Sequence, residues 1–183
     1  MPVAQNRFFA IAISGIFALG SAIIADNARA ASFKIVYTFQ GGTDGEVPIA
    51  PLVNINGTLY GVTTYGGGCI FNAPNGCGTV FSVTPSGAET VLYTFQGKKD
   101  GYYPFGIVNA QGRLIVAAEQ SDSDTEISLV TTDGKFKILS NVRFADWSPD
   151  RHPLTRVGHT WYGLSTGSLG CHPSCGYIYA VTP

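Results

Sequence analysis

Two carboxylates recur at matching places in this chain. Asp44-Gly45 follows Tyr37-Thr38-Phe39-Gln40-Gly41, and Asp100-Gly101 follows Tyr93-Thr94-Phe95-Gln96-Gly97. Paired carboxylates can hold calcium or carry acid–base chemistry on a sugar, and Asp146 or Asp150 could extend such a set. The same dipeptide also suits a turn, because Gly accepts unusual backbone angles and Asp hydrogen-bonds its own chain. Recurrence favours the turn, since each copy must make the same bend. Asp122, Asp124 and Glu126 alternate in a polar stretch. An EF-type calcium loop needs a glycine at its sharp turn, so a solvated loop is expected instead. His152, His159 and His172 are the only histidines, and neither a G-x-S-x-G nor an H-E-x-x-H pattern accompanies them. Gly66-Gly67-Gly68 lacks the helix N-terminus or lysine that a phosphate cradle requires. No catalytic residue, metal site or cofactor is therefore assigned.

The aromatic residues are the better candidates for contact with a ligand. Tyr65, Tyr102, Tyr103, Trp147 and Trp161 fall in or beside expected loops. Sugar rings stack on such side chains, and Tyr and Trp also dominate protein interfaces because they are large and rigid. Packing between structural units is the competing use.

Four cysteines lie in two short stretches, Cys69 with Cys77 and Cys171 with Cys175. Four cysteines allow three pairings. The two local ones are favoured because each pair shares a loop, and each would contribute roughly 2–2.5 kcal/mol in the chain-entropy model. A shared zinc site is the alternative, although the spacings are not paired C-x2-C.

These residues need elements to hold them, and the patterns are those of strands. In the first stretch, Pro51–Ile55, Thr58–Thr64, Gly78–Thr84 and Glu89–Phe95 are short apolar runs bounded by Gly, Pro and Asn. Asn56-Gly57 predicts a tight hairpin. A second stretch has Phe105–Val108, Arg113–Ala118, Ile127–Thr131 and Lys135–Leu139, with a polar loop over Glu119–Asp124. In a third, Trp161–Ser165 matches Leu59–Thr63, and Gly176–Pro183 matches Gly78–Pro85. Self-similarity of this kind is the mark of a repeat architecture. The units run over 40–95, 96–139 and 140–183, with a strand over 32–39 in front. The last unit lacks a fourth strand, and the surplus first strand could complete it, as in β-propellers. The expected fold is all-β and propeller-like, with about three four-stranded blades; the β-trefoil and β-prism are alternatives. Propellers usually have four to eight blades. Two chains would supply six, so the reading includes a homodimer in which one copy's N-terminal strand completes the other's last blade.

Leu59–Gly67, Gly78–Gly87, Leu92–Phe95 and Asp100-Gly101 through Pro104 together resemble the GloVer (Gloeo/Verruco) tandem repeat of bacterial exported proteins. The resemblance is close across the first unit, partial across the second and limited to the end of the third. It implies export, and often surface display, and brings no catalytic residues with it.

Export has its own signal. Arg7, an apolar run over Phe8–Ile24 and the small-x-small site Ala28-Arg29-Ala30 make 1–30 a secretory signal peptide, leaving a single β-repeat domain over 31–183. The destination is periplasmic or extracellular, where disulfides form. A formal charge of −1 with no basic run argues against nucleic acid and anionic membranes as partners. Charged residues make up only 13% of the chain, and its 23 glycines suit strands and turns better than helices. The expected function is a non-enzymatic exported module that binds or scaffolds at the cell surface, with a glycan or surface protein as partner. A secreted carbohydrate-active hydrolase or lyase is one alternative, and a structural part of a surface assembly is another.

Overall fold

The structure is a computed structural model that describes residues 32–71, 74–121, 124–143, 154–165 and 177–182. The chain divides into Met1–Phe33 and Lys34–Pro183. In the first part only Ser32 and Phe33 are described, and neither lies in a strand. The second part is all-β among its described residues, with its strands in three separate antiparallel sheets. None of these ladders closes into the barrel a β-trefoil needs.

Sheet 1 holds β1 (Gly45–Pro48), β2 (Val53–Ile55), β3 (Thr58–Gly66), β4 (Thr79–Val83) and β5 (Glu89–Thr94). β1 and β2 both pair with the same side of β3, so they act as one interrupted edge strand, and β4 and β5 follow in order. Sheet 2 is a plain meander of β6 (Tyr102–Ala110), β7 (Arg113–Ser121), β8 (Asp124–Val130) and β9 (Phe136–Arg143). Sheet 3 contains β10 (Thr155–Val157), β11 (Thr160–Ser165) and β12 (Tyr177–Val181).

The hairpins form as the turn chemistry dictates. A type I′ turn needs positive φ at both central residues. Asn56 (52°) and Gly57 (87°) meet that need in sheet 1, and Gln111 (56°) and Gly112 (82°) meet it in sheet 2. A side-chain amide oxygen completes each turn: Asn54 Oδ1 accepts from the Gly57 N–H at 2.9 Å, and Asn109 Oδ1 from the Gly112 N–H at 2.8 Å.

Side-chain alternation decides what each sheet buries. Tyr60, Val62 and Val80 on one face of sheet 1 pack with Leu114, Val116, Ala118 and Val130 of sheet 2. The opposite face of sheet 2, with Ile115, Ala117 and Ile127, packs with Leu154 and Trp161 beside sheet 3. Sheet 2 is thus covered on both sides, which explains why Leu114–Ala118 reads as an unbroken apolar run rather than an alternating one. The Phe95 and Phe105 rings lie fully inside the two cores.

Three expectations need correction. Residues 32–40 form no strand. The expected N-terminal strand therefore does not complete the last sheet within the chain, and among the described residues β12 has β11 as its only neighbour. The physical reason is the lack of a partner: Phe39 packs edge-to-face on Phe81 of sheet 1 at 4.8 Å and Tyr37 is hydrogen-bonded to Asp44, but among the described residues no strand lies beside the segment to form a ladder with it. Secondly, the polar stretch around Asp124 and Glu126 is not a solvated loop. β7 runs on to Ser121 and β8 begins at Asp124, and the partly polar ladder between them was masked in the sequence by its lack of apolar alternation. Thirdly, β1 and β10 were not expected, and β6 and β9 are longer than their apolar runs.

Leu114 lies at the centre of the seam between sheets 1 and 2 and is fully buried. Leu114→Ala is expected to lower the unfolding free energy by about 2–5 kcal/mol, read from urea denaturation.

Candidate functional site

Both recurring aspartates are committed to turns. The Asp44 carboxylate accepts from the Tyr37 hydroxyl at 2.9 Å, the Gln40 N–H at 2.8 Å and the Gly45 N–H at 2.6 Å. The Asp100 carboxylate is buried and accepts from the Tyr93 hydroxyl at 2.5 Å and the Gln96 N–H at 3.0 and 3.1 Å. Carboxylates supplied with this many donors hold a chain in place. Asp122, Asp146 and Asp150 lie outside the described residues, as do His152, His172, Trp147, Cys171 and Cys175. Among the described residues, no three His, Cys, Asp or Glu side chains gather to hold a metal ion.

Cys69 and Cys77 form the expected local disulfide, with Cα atoms 5.6 Å apart and both residues buried. It closes the loop between β3 and β4. Next to that loop, the chain brings three of the five aromatic candidates together. Tyr65 meets Tyr103 edge-to-face at 5.1 Å, Tyr103 meets Tyr102 at 4.8 Å, and Tyr102 meets Phe71 at 5.5 Å. The rings use one another as partners at the seam between sheets 1 and 2, and the three tyrosines stay half-buried.

One group escaped the sequence reading. Glu126 in β8 sits opposite Ala118 in the ladder, on the face that turns toward sheet 1. It is fully buried, and neither carboxylate oxygen has a hydrogen-bond partner. Burial, seconded by the negative charge of Asp100, pushes its pKa up to about 7. An i, i+2 polar pattern signals a strand with one wet face, so nothing in the sequence marked this side chain as interior.

Trp161 lies elsewhere. Tyr102 pairs with Glu119 and Ala110 with Arg113, so the aromatic cluster and the Arg113 turn occupy opposite ends of the β6–β7 hairpin. At the Arg113 end, a recess of about 280 Å³ opens between sheets 2 and 3, lined by Ala110, Gln111, Arg113, Arg156, His159 and Trp161. A neighbouring recess of about 270 Å³ shares Ala110, Arg113 and Trp161 and adds Ile115, Leu129 and Leu139. The Arg156 guanidinium stands 5.9 Å over the Trp161 ring, a cation–π contact. Arg156 Nε and Trp161 Nε1 are both buried donors with no acceptor. A buried donor without an acceptor costs roughly 1–3 kcal/mol, so both would gain from an acceptor placed in the recess. Among the described residues, the lining carries two guanidiniums and an indole N–H but no carboxylate. Chemically, this site favours an anion with an apolar side.

No family model matches the chain, and no curated protein does so either. Among solved structures, the crystal structure of the computationally designed Ika4 protein is similar over 82% of this chain and 99% of that chain. Identity is 10% and the TM-score is 0.31.

Replacing Asp100 by alanine should remove charge-assisted bonds and cost about 1.5–3 kcal/mol of stability, measured by urea unfolding. Glu126 predicts a pH effect of opposite sense to most acids. A carboxyl whose pKa is higher in the folded than in the unfolded protein binds its proton more tightly when folded. Stability should therefore fall as pH rises from about 4.5 to about 7 and level off above. Glu126→Gln should flatten that decline in melts taken at about pH 5 and about pH 8.

Proposed function

We propose that the chain is an exported, propeller-like β-repeat module of the GloVer kind. It binds a carboxylate-bearing ligand, with uronate-containing glycans as the first candidates. The single observation behind the ligand class is the recess at Trp161, where Arg113 and Arg156 meet an unpartnered indole N–H. A guanidinium matches a carboxylate through two parallel hydrogen bonds. The adjoining apolar floor of Ile115, Leu129 and Leu139 suits the C–H face of a sugar ring.

Other observations favour the rest of the reading. The segment before Ala31 has the charge, apolar run and cleavage site of a signal peptide. The Cys69–Cys77 disulfide fits an oxidising compartment. The regular order of sheet 2, with sheets 1 and 3 laid on its two faces, fits blades arranged side by side. Among the described residues no helix is long and apolar enough to cross a membrane. The reading is non-enzymatic because Asp44 and Asp100 each close a turn.

A panel of neutral and uronate-containing oligosaccharides tests the assignment by calorimetry and by Trp fluorescence. Acidic members should bind and neutral ones should not. Arg113→Ala and Arg156→Ala should each weaken binding at least about tenfold, equivalent to about 1.4 kcal/mol. Equal binding of neutral and acidic sugars, or affinity untouched by both substitutions, would defeat the ligand class. Release of new reducing ends would move the protein to the hydrolase or lyase reading.

A further inference from the structure

Residues 34–40 sit on sheet 1 in the way that the end of β5 sits on sheet 2. The Tyr37 hydroxyl donates to Asp44 just as the Tyr93 hydroxyl donates to Asp100. Tyr37 and Phe39 meet edge-to-face at 5.1 Å, and Tyr93 and Phe95 do so at 5.3 Å. The Gln40 amide donates to the Thr38 carbonyl, and the Gln96 amide to the Thr94 carbonyl. Even the next turn is matched: the Val36 carbonyl lies against Gly87, and the Leu92 carbonyl against Gly134. These docking contacts of an outer strand are therefore present, but the ladder is absent. β5 has β4 beside it, whereas residues 34–40 have no strand partner among the described residues.

Sheet 3 has the converse deficit. Tyr60, Val62 and Val80 of sheet 1 turn toward sheet 2 and are 8%, 1% and 0% exposed. By register, their counterparts in sheet 3 are Tyr162, Leu164 and Ile178, on the face away from sheet 2. These are 38%, 47% and 71% exposed, and Val157, the counterpart of Ile55, is 63% exposed. β12, the counterpart of β4, has β11 as its only neighbour among the described residues.

We propose that a second copy of this chain supplies both missing partners in one head-to-tail interface. β12 of one copy pairs with residues 34–39 of the other, and the exposed face of sheet 3 closes over the outer face of the other copy's sheet 1, beside Phe81 and Leu52. The seam between sheets 1 and 2 is the template for both halves of this contact, so the new interface continues one the chain already makes. Applying the β4–β5 register predicts Ala180 opposite Lys34 and Ile178 opposite Tyr37. A head-to-tail contact is heterologous, and it closes when its rotation returns to the start. Two copies would give six sheets, within the four to eight that β-propellers use. The interface does not involve the Arg113 recess, so it stands independently of the ligand assignment.

The test mixes two single-cysteine variants of the exported chain, Lys34→Cys and Ala180→Cys, under mild oxidation. The mixture should give a disulfide-linked pair of chains, and neither variant alone should. Native mass spectrometry of the unmodified protein at micromolar concentration should show a dimer or a longer head-to-tail assembly. Ile178→Asp, on an exposed strand and so compatible with folding, should shift dissociation at least tenfold toward monomer while its circular dichroism stays unchanged. A monomer at that concentration, or a Lys34→Cys/Ala180→Cys double variant that crosslinks only within one chain, would overturn the proposal.

Discussion

A short antiparallel sheet has two faces, and in a chain of this size it cannot leave both wet and remain stable. Everything in this protein follows from how each sheet disposes of its faces. Sheet 2 buries both, and it accordingly has the continuous apolar strand and the largest share of the core. Each fully buried Leu, Ile, Val or Phe contributes roughly 1.5–3 kcal/mol relative to exposure, so the two seams carry most of the hydrophobic stabilisation. The turns, the disulfide and the aspartates serve these seams. Tyr93 is in the last strand of sheet 1 and Asp100 is in the connection to sheet 2, so their hydrogen bond fixes the angle at which the chain enters the next sheet.

Buried polar groups mark where that plan is under tension. Glu126 stands in a ladder position that faces the seam, among side chains that offer it no hydrogen bond. Its raised pKa means that folding carries a growing cost as pH rises from about 4.5 to about 7, one that a glutamine would avoid. Trp161 and Arg156 are in a comparable position, with donors buried at the second seam. The difference is access. Glu126 is closed off, whereas the recess beside Trp161 opens outward and can admit an acceptor, and for that reason only the latter has the character of a binding site.

The sequence announces what depends on local chemistry. Asn56-Gly57 predicts its hairpin because positive φ is a property of two residues, and the Cys69–Cys77 loop predicts its bridge because the ends are already near. The matched Asp-Gly pairs are correctly read as turns. Pairing across sheets is less visible. Arg113 and Arg156 come from different sheets, and no spacing rule connects residues brought together by packing. Glu126 looked solvated because its polar neighbours alternate, and a strand whose buried face carries acid and hydroxyl groups has no apolar signature. The motif at Tyr37 was legible as a copy of Tyr93. Its environment was not, because β-ladder formation depends on a partner strand that local sequence cannot place.

The wiring of the sheets has a kinetic consequence. Among the described residues, every ladder joins strands that are adjacent, or separated by one short strand, along the chain. Loops closed by such pairings are brief, and folding speeds fall mainly when contacts span long stretches of sequence. For an all-β protein, the pairing of its strands is therefore local. Each sheet can assemble once its own segment is free, and the seam behind it can close before the next sheet exists. A chain that emerges end first from a ribosome or a translocation channel could thus fold progressively, exposing one apolar sheet face at a time.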